Sequence, residues 1–198
     1  KLGNVKAGTP EASVVKNTAQ NDKYYAIRVK AANSLKELVK SESEKENVRT
    51  LLMSAAKSDS NSDVRSNAIE KLSDWYNDDD TRTICLNAIG NDSSYKVIGS
   101  AVKSLVKKSP EQGMEIASKL EKQNDKNINR IVADVYADYG TDDNIDFMVN
   151  YLNNAKGFSG FTAMGNTTKY LKRCKPETVD KALPAYENIA RNGSAWYI

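Results

Sequence analysis

The chain has 198 residues, 39% apolar and 28% charged, with 4 prolines and 10 glycines, a balance that suits a soluble helical protein and is too apolar for a disordered one. Histidine is absent, which removes the commonest general base, the commonest zinc ligand and the Ser-His and Cys-His nucleophile pairs. The net charge of +3 comes from 29 basic and 26 acidic residues that interleave along the whole length, as on solvated helix faces, rather than gathering into the basic stripe of a nucleic-acid binder.

No apolar run approaches the ~20 residues that cross a bilayer as a helix, and Lys1 to Thr9 carry no secretory pattern. From Thr9-Pro10 onward, two apolar stripes alternate. The first helix of the alternation, Pro10 to Gln20, has the weakest stripe, Val14 and Val15. Next comes Ile27-Arg28, Ala31, Leu35 and Leu38, and its pattern returns at Val64-Arg65, Ala68, Leu72 and Trp75, then at Val97, Ala101, Leu105 and Lys108. Weaker copies run through Ile128, Val132, Tyr136 and Tyr139, and through Ala163, Thr167, Leu171 and Cys174. The starts at 27, 64, 97, 128 and 163 are 37, 33, 31 and 35 residues apart. Within each copy the spacing follows one face of a 3.6-residue helix.

Between these lie Val48, Leu51, Leu52, Ala55; Ile84, Cys85, Ala88; Ile116, Ala117, Leu120; Ile145, Met148, Val149, Leu152; and Val179, Ala182, Leu183, Tyr186. Two stripes in step predict helical hairpins. A lone hairpin cannot bury both faces, so neighbours must stack on it. The predicted fold is all-α: a HEAT-like α-α superhelix, a right-handed solenoid of about five hairpins. As one domain over 1–198, its repeats fall near 9–40, 41–76, 80–108, 109–139 and 141–174, with 176–198 an unfinished sixth. Because the repeat phase places Ile198 at the start of a further helix, the chain is expected to be a piece of a longer one. Its uncapped end would then be able to support oligomerisation.

Boundary residues agree. Pro10, Pro110 and Pro176 suit first helical turns. Ser41 with Glu44 and Ser109 with Gln112 read as capping boxes. Asp80 and Thr141 are candidate N-caps, and Gly90 and Gly140 candidate left-handed C-terminal residues.

No catalytic, cofactor-binding or metal-ligating set emerges. Asn77 to Asp80 and Asp142-Asp143 offer oxygen ligands for a hard cation, but acids before a helix N-terminus are favoured by the helix dipole, and capping is the preferred reading. Cys85 and Cys174 sit on stripes as small apolar residues. Tyr24-Tyr25, Trp75-Tyr76, Tyr95 and Trp196-Tyr197 keep phase with the repeat, which favours packing between repeats over a stacking groove. Lys96, Lys103, Lys107-Lys108, Arg130 and Lys172-Arg173 fall on or near the helices that line the concave side of a solenoid. With Arg28 and Arg65, the residues Lys96, Lys103 and Arg130 are the candidates for binding there, weighed against a merely solvated face.

The segments NDKYYAIRVKAANSL, SDVRSNAIEKL and NDSSYKVIGSAVKSL resemble HEAT-like repeats of the short, phycobilisome-lyase type. That resemblance implies ladders in which Asp22, Asp59 and Asp92 meet Arg28 and Arg65, incomplete where Ile98, Asn129 and Met164 replace arginine. From SPEQGMEIASKLEKQ through KGFSGFTAMGNTTKYLKR to ENIARNGSAWYI, the chain is similar to the C-terminal helical region of bacterial aminopeptidase N-type zinc metallopeptidases, closest to the Bacteroidetes-like branch. The resemblance implies a non-catalytic domain that covers an active-site cleft and restricts peptide access. Zinc would belong only to an upstream catalytic domain of the same polypeptide, the expected partner, in a periplasmic or envelope setting. The alternative is a HEAT-repeat scaffold that binds a protein or peptide on its concave face. No nucleic-acid partner, cofactor or membrane span is expected of these residues.

Overall fold

The computed structural model describes residues 5–76 and 78–192, and these form helices with no strand. The helices are α1 (Pro10–Asn21), α2 (Tyr25–Ser34), α3 (Glu42–Ser58), α4 (Ser62–Trp75), α5 (Asp79–Asn91), α6 (Tyr95–Lys108), α7 (Pro110–Glu121), α8 (Lys126–Tyr139), α9 (Ile145–Asn154), α10 (Phe158–Leu171) and α11 (Pro176–Asn192). Short 3-10 segments follow α2 (Leu35–Lys40) and precede α9 (Asp142–Asn144). The architecture is all-α, with helices packed in series as in a solenoid. None of the described helices is long and apolar enough to cross a membrane.

The chain divides into two compact units, one ending at Lys108 and the other beginning at Ser109. In the first unit each odd helix packs on the even helix that follows it. The odd helices α1, α3 and α5 also meet in sequence, as do the even helices α2, α4 and α6. This two-layer stacking buries Leu35, Leu38, Val48, Leu52, Ile69 and Leu72 almost completely, each worth about 1.5–3 kcal/mol of transfer free energy. In the second unit α8 packs on α7, α9 and α10, and α9 packs on α10 and α11. Tyr136, Met148, Leu152 and Tyr170 anchor its interior.

The stripes hold in most places and slip in a few. On α1, Val15 is buried but Val14 is 62% exposed, and Ala12 and Ala19 complete the inner face. Ile27 is 39% exposed, because no even helix precedes α2 among the described residues. On α10 the inner face runs through Gly160, Ala163, Thr167 and Tyr170. Leu171 and Cys174 are only half-buried, and Cys174 lies beyond the helix end. Leu183 on α11 is exposed, and Thr178, Ala182 and Ala185 take its place inside. Tyr139 is also exposed. Tyr24, Tyr25 and Tyr95 stay exposed rather than packing between repeats, whereas Trp75 and Tyr76 are half-buried. Trp196, Tyr197 and Ile198 lie outside the described residues.

Several caps differ from expectation. Thr9 caps α1, its hydroxyl accepting from the Ala12 amide. Asp78, not Asp80, caps α5 by accepting from the Thr81 amide at 2.8 Å. Asp80 lies inside the helix, where Arg49 Nη2 reaches it at 2.5 Å. Ser41 and Ser109 make no side-chain capping bond; the Ser41 hydroxyl pairs with that of Ser43, and Glu44 takes Lys16 instead. Thr141 does form a box, its amide donating to Asn144 Oδ1 at 2.9 Å. Gly90 is within α5, and Gly140 has a φ of −62°, so neither is left-handed. Positive φ falls instead at Gly8, Asn124 and Gly157.

Candidate binding cleft

The fourth residue of each even helix decides what joins one repeat to the next. In α2 and α4 it is Arg28 and Arg65. Arg28 donates through Nε and Nη2 to both carboxylate oxygens of Asp59, at 2.8 and 2.7 Å, and through Nη1 to the Asp22 carbonyl at 2.7 Å. Arg65 repeats the pattern one hairpin later, with Asp92 at 2.7 and 2.9 Å and the Asp59 carbonyl at 2.8 Å. Each aspartate also accepts an amide of its own loop: Tyr24, Asn61 and Ser94 donate to Asp22, Asp59 and Asp92 at 2.8, 2.9 and 2.8 Å. Planar forks against carboxylates are strong, geometrically exacting bonds. They raise the pKa of both guanidiniums, and the Arg65 bond holds Asp92 below the usual carboxylate range. The ladder inferred from Asp22, Asp59 and Asp92 is therefore formed.

Farther along, the fork is gone. The fourth residues of α6, α8 and α10 are Ile98, Asn129 and Phe161. The helix bounds thus put Phe161, not Met164, in the arginine's place on α10. In the second unit the helices are tied differently. Arg173 donates to the carbonyls of Ala137, Tyr136 and Gly140 at the end of α8. Tyr170 Oη donates to the Thr141 carbonyl at 2.6 Å, and Tyr136 Oη to Glu121 at 2.8 Å. Burial raises both phenol pKa values.

Where Asn129 replaces the arginine, a cleft of about 750 Å³ opens between the start of α8, the outer face of α9 and the loop into α10. Phe147 and Tyr151 stand on one side, stacked one helical turn apart with ring centroids 6.3 Å apart and planes within 2°. Phe147 is fixed from behind by an edge-on contact with Tyr136 at 5.3 Å. Burial, with the nearby Asp134 adding to it, raises the Tyr151 phenol pKa above its ordinary value. Lys126, Arg130 and Lys156 bring positive charge, and no carboxylate is among the described residues lining the cleft. Five asparagines complete it, at 124, 127, 129, 150 and 154. Asn154 Nδ2 donates to Asn150 Oδ1 at 2.7 Å. The side-chain oxygen of Asn129 is buried and has no hydrogen-bond partner among the described residues, a state that costs about 1–3 kcal/mol until a donor arrives.

The five cations singled out in the sequence have separate fates. Arg28 and Arg65 are committed to the ladder and sheltered from solvent. Lys96 pairs with Asp63 at 2.5 Å on an exposed surface. Lys103 is exposed on α6. Arg130 lines the cleft. Sequence reasoning did not single out the asparagines, which recur along the whole chain, or the Phe147–Tyr151 pair, which reads as ordinary helix packing. The available signal was the lost arginine at Asn129.

Among the described residues no group of three or more Cys, Asp or Glu side chains has metal-holding geometry. Asn77 is outside the described residues, and Asp78 is engaged in capping. Burial pushes the Cys85 thiol up to about 11, away from the thiolate that nucleophilic or metal chemistry needs. The chain matches no protein-family model, and no curated protein matches it.

Proposed function

We propose that this chain is a non-catalytic helical-repeat binding domain, and that it serves an aminopeptidase N-type metallopeptidase by covering the active-site cleft and restricting peptide access. The reading rests on the resemblance of the segments from SPEQGMEIASKLEKQ to ENIARNGSAWYI, within 109–198, to the C-terminal region of those enzymes. The observation that supports it is the series of paired helices, the architecture such a domain would need. An array of rigid stacked hairpins suits steric work, since it presents a broad fixed surface without a reacting group. In this role the zinc and its ligands belong to an upstream domain, and the present residues select which peptides reach it.

The parent polypeptide provides the test. An upstream H-E-x-x-H helix followed by a distant glutamate is expected. Removing residues 1–198 from that parent should raise cleavage of long peptides relative to short aminoacyl reporters. A parent without such a motif, or a length preference unchanged by the deletion, would defeat this assignment.

A second reading, a scaffold for a protein partner, draws on one feature. Phe158 is 86% exposed and Phe161 42% exposed, with their rings 6.2 Å apart. Exposed aromatic pairs of this kind are common anchors of protein interfaces. Loss of a partner on Phe158→Ser substitution would favour it.

A further inference from the structure

We infer that the cleft of the second unit holds an acidic peptide segment in extended form, its main chain paired with asparagine carboxamides and its acidic side chains with Lys126, Arg130 and Lys156. This rests on the reading of the chain as a binding domain and names the ligand class that reading leaves open. Charge complementarity is the first argument. Three cations converge with no carboxylate among the described lining residues, although acidic and basic residues are nearly equal in the chain as a whole. Such one-signed lining focuses the field and draws in the opposite charge.

The carboxamides specify what carries that charge. A carboxamide donates and accepts at once, as a peptide group does. Because Asn154 donates to Asn150 Oδ1, the pair offers the Asn150 amide hydrogens and the Asn154 oxygen to the cleft. These two residues are one turn apart on α9, about 6 Å along its axis. An extended chain repeats its outward-facing groups every second residue, about 6.7 Å, so the two periods nearly match. The buried, unpartnered oxygen of Asn129 needs a donor. A peptide N–H supplies one, whereas phosphodiester and carboxylate groups supply none. The Phe147–Tyr151 face packs against the aliphatic parts of the segment and excludes water from the bonds beside it.

Where the first unit uses a bidentate arginine to fill the gap between successive loops, this gap is open, and the residues around it are those a peptide strand would bond. The site is a substitution of ligand for ladder.

Fluorescence anisotropy of the full 198-residue chain tests this, using a labelled peptide of roughly ten residues with alternating Glu and Ser (~33 Å extended). The Glu peptide should bind at least about ten-fold more tightly than the same peptide with Gln for Glu or with Lys for Glu, and added salt should weaken it. The triple variant Lys126→Gln, Arg130→Gln, Lys156→Gln should lose about ten-fold or more. Its exposed positions leave the helical circular dichroism unchanged. Lys30→Gln, Lys36→Gln, Lys57→Gln removes the same charge from exposed sites of the first unit and should bind as the parent does. The Asn129 side-chain amide resonances should move on titration. Equal binding of the Glu and Gln peptides, or equal weakening by both triple variants, overturns the proposal. So does tighter binding of a uridine oligonucleotide than of the Glu peptide, which would make the cleft a single-strand nucleic-acid site. None of these outcomes bears on whether the parent carries a peptidase motif, so the two readings fail separately.

Discussion

The two units solve the same problem with opposite chemistry. Stacked hairpins leave a gap between successive odd-to-even loops, and the first unit closes it with charge. Arg28 and Arg65 each bind one loop's carbonyl and the next loop's carboxylate. The odd helices add Lys16–Glu44 and the Arg49 pairs with Asp78 and Asp80. In the second unit, tyrosine hydroxyls and Arg173 hold helix ends through backbone carbonyls, and the loop gap at Asn129 stays open as a cleft. Closing a gap gives stability, and leaving one open gives a site. The contrast assigns structural work to the first unit's repeating charge pattern and recognition to the second unit's asparagines.

The largest test compares residues at the same place in their helices. Arg65→Ala leaves Asp92 sheltered without its cation, which should cost about 3 kcal/mol. Asn129→Ala removes a buried oxygen with no partner among the described residues and should leave the fold as stable as the parent or up to about 1 kcal/mol more so. Hydrogen exchange resolved by unit reads both. A comparable loss at the two positions would end the comparison.

Gly140→Ala comes next and strikes the second unit. A Cβ there would lie 2.7 Å from the Tyr136 carbonyl oxygen, a backbone atom that cannot swing away. The end of α8 must shift, and with it the carbonyls that Arg173 holds, at a cost of about 1–3 kcal/mol. A melting temperature equal to the parent's would show that the helix end adapts freely.

Acid should separate the units by a smaller margin. Asp92 is held low by Arg65, and Glu44 by Lys16. A depressed carboxylate contributes stability that is complete above its unfolded pKa of about 4 and is lost as pH falls through the lower folded value. Below pH ~4 the slope is about 1.4 kcal/mol per pH unit for each such group; these two are sheltered pairs of the first unit, whereas the lowered carboxylates of the second, Glu115 and Asp142, stand in solvent that screens them. The first unit's amides should lose protection first as pH falls from 5 toward 2. Arg65→Ala should remove the part of that slope due to Asp92.

Tyr136→Phe is smaller still. It deletes the 2.8 Å bond to Glu121 while keeping the ring against Phe147, and about 1 kcal/mol should go. Because Glu121 is only half-buried, water can replace the hydroxyl, which keeps the cost below that of a buried orphan.

Much of the helix series was legible because stacking forces a period on the apolar residues. The ladder was legible only through the resemblance to HEAT-like repeats, which implies that the aspartate before a helix and the arginine inside it form rungs. What escaped were choices between adjacent apolar residues. Val14 and Val15 are chemically alike, and only the partner helix decides which turns inward. On α10 the stripe holds at Ala163 and Thr167 and slips beyond them: Gly160 and Tyr170 face inward where Leu171 and Cys174 were expected, because glycine does not read as core and Tyr170 is adjacent to an equally apolar leucine. Caps were harder again, since Asp78, Asp79 and Asp80 all suit an N-terminus and only Asp78 accepts from the Thr81 amide. The cleft is made from residues 124 to 159 on three segments, and no local pattern announces that asparagines on different helices share a gap.

The weakest effect is the most discriminating for the ladder. Lys96–Asp63 and Lys107–Asp74 also link helices 33 positions apart, at 2.5 and 2.7 Å, so by spacing they look like further rungs. Both lysine side chains are about 60% exposed, against 10% and 14% for those of Arg28 and Arg65. Solvent and salt screen such pairs, and holding a long lysine chain in place costs entropy. Lys96→Gln and Lys107→Gln should each cost less than about 0.5 kcal/mol, and less again at 1 M salt, where the screening length falls to about 3 Å. If either approached the loss at Arg65, periodicity rather than burial would be what makes a rung.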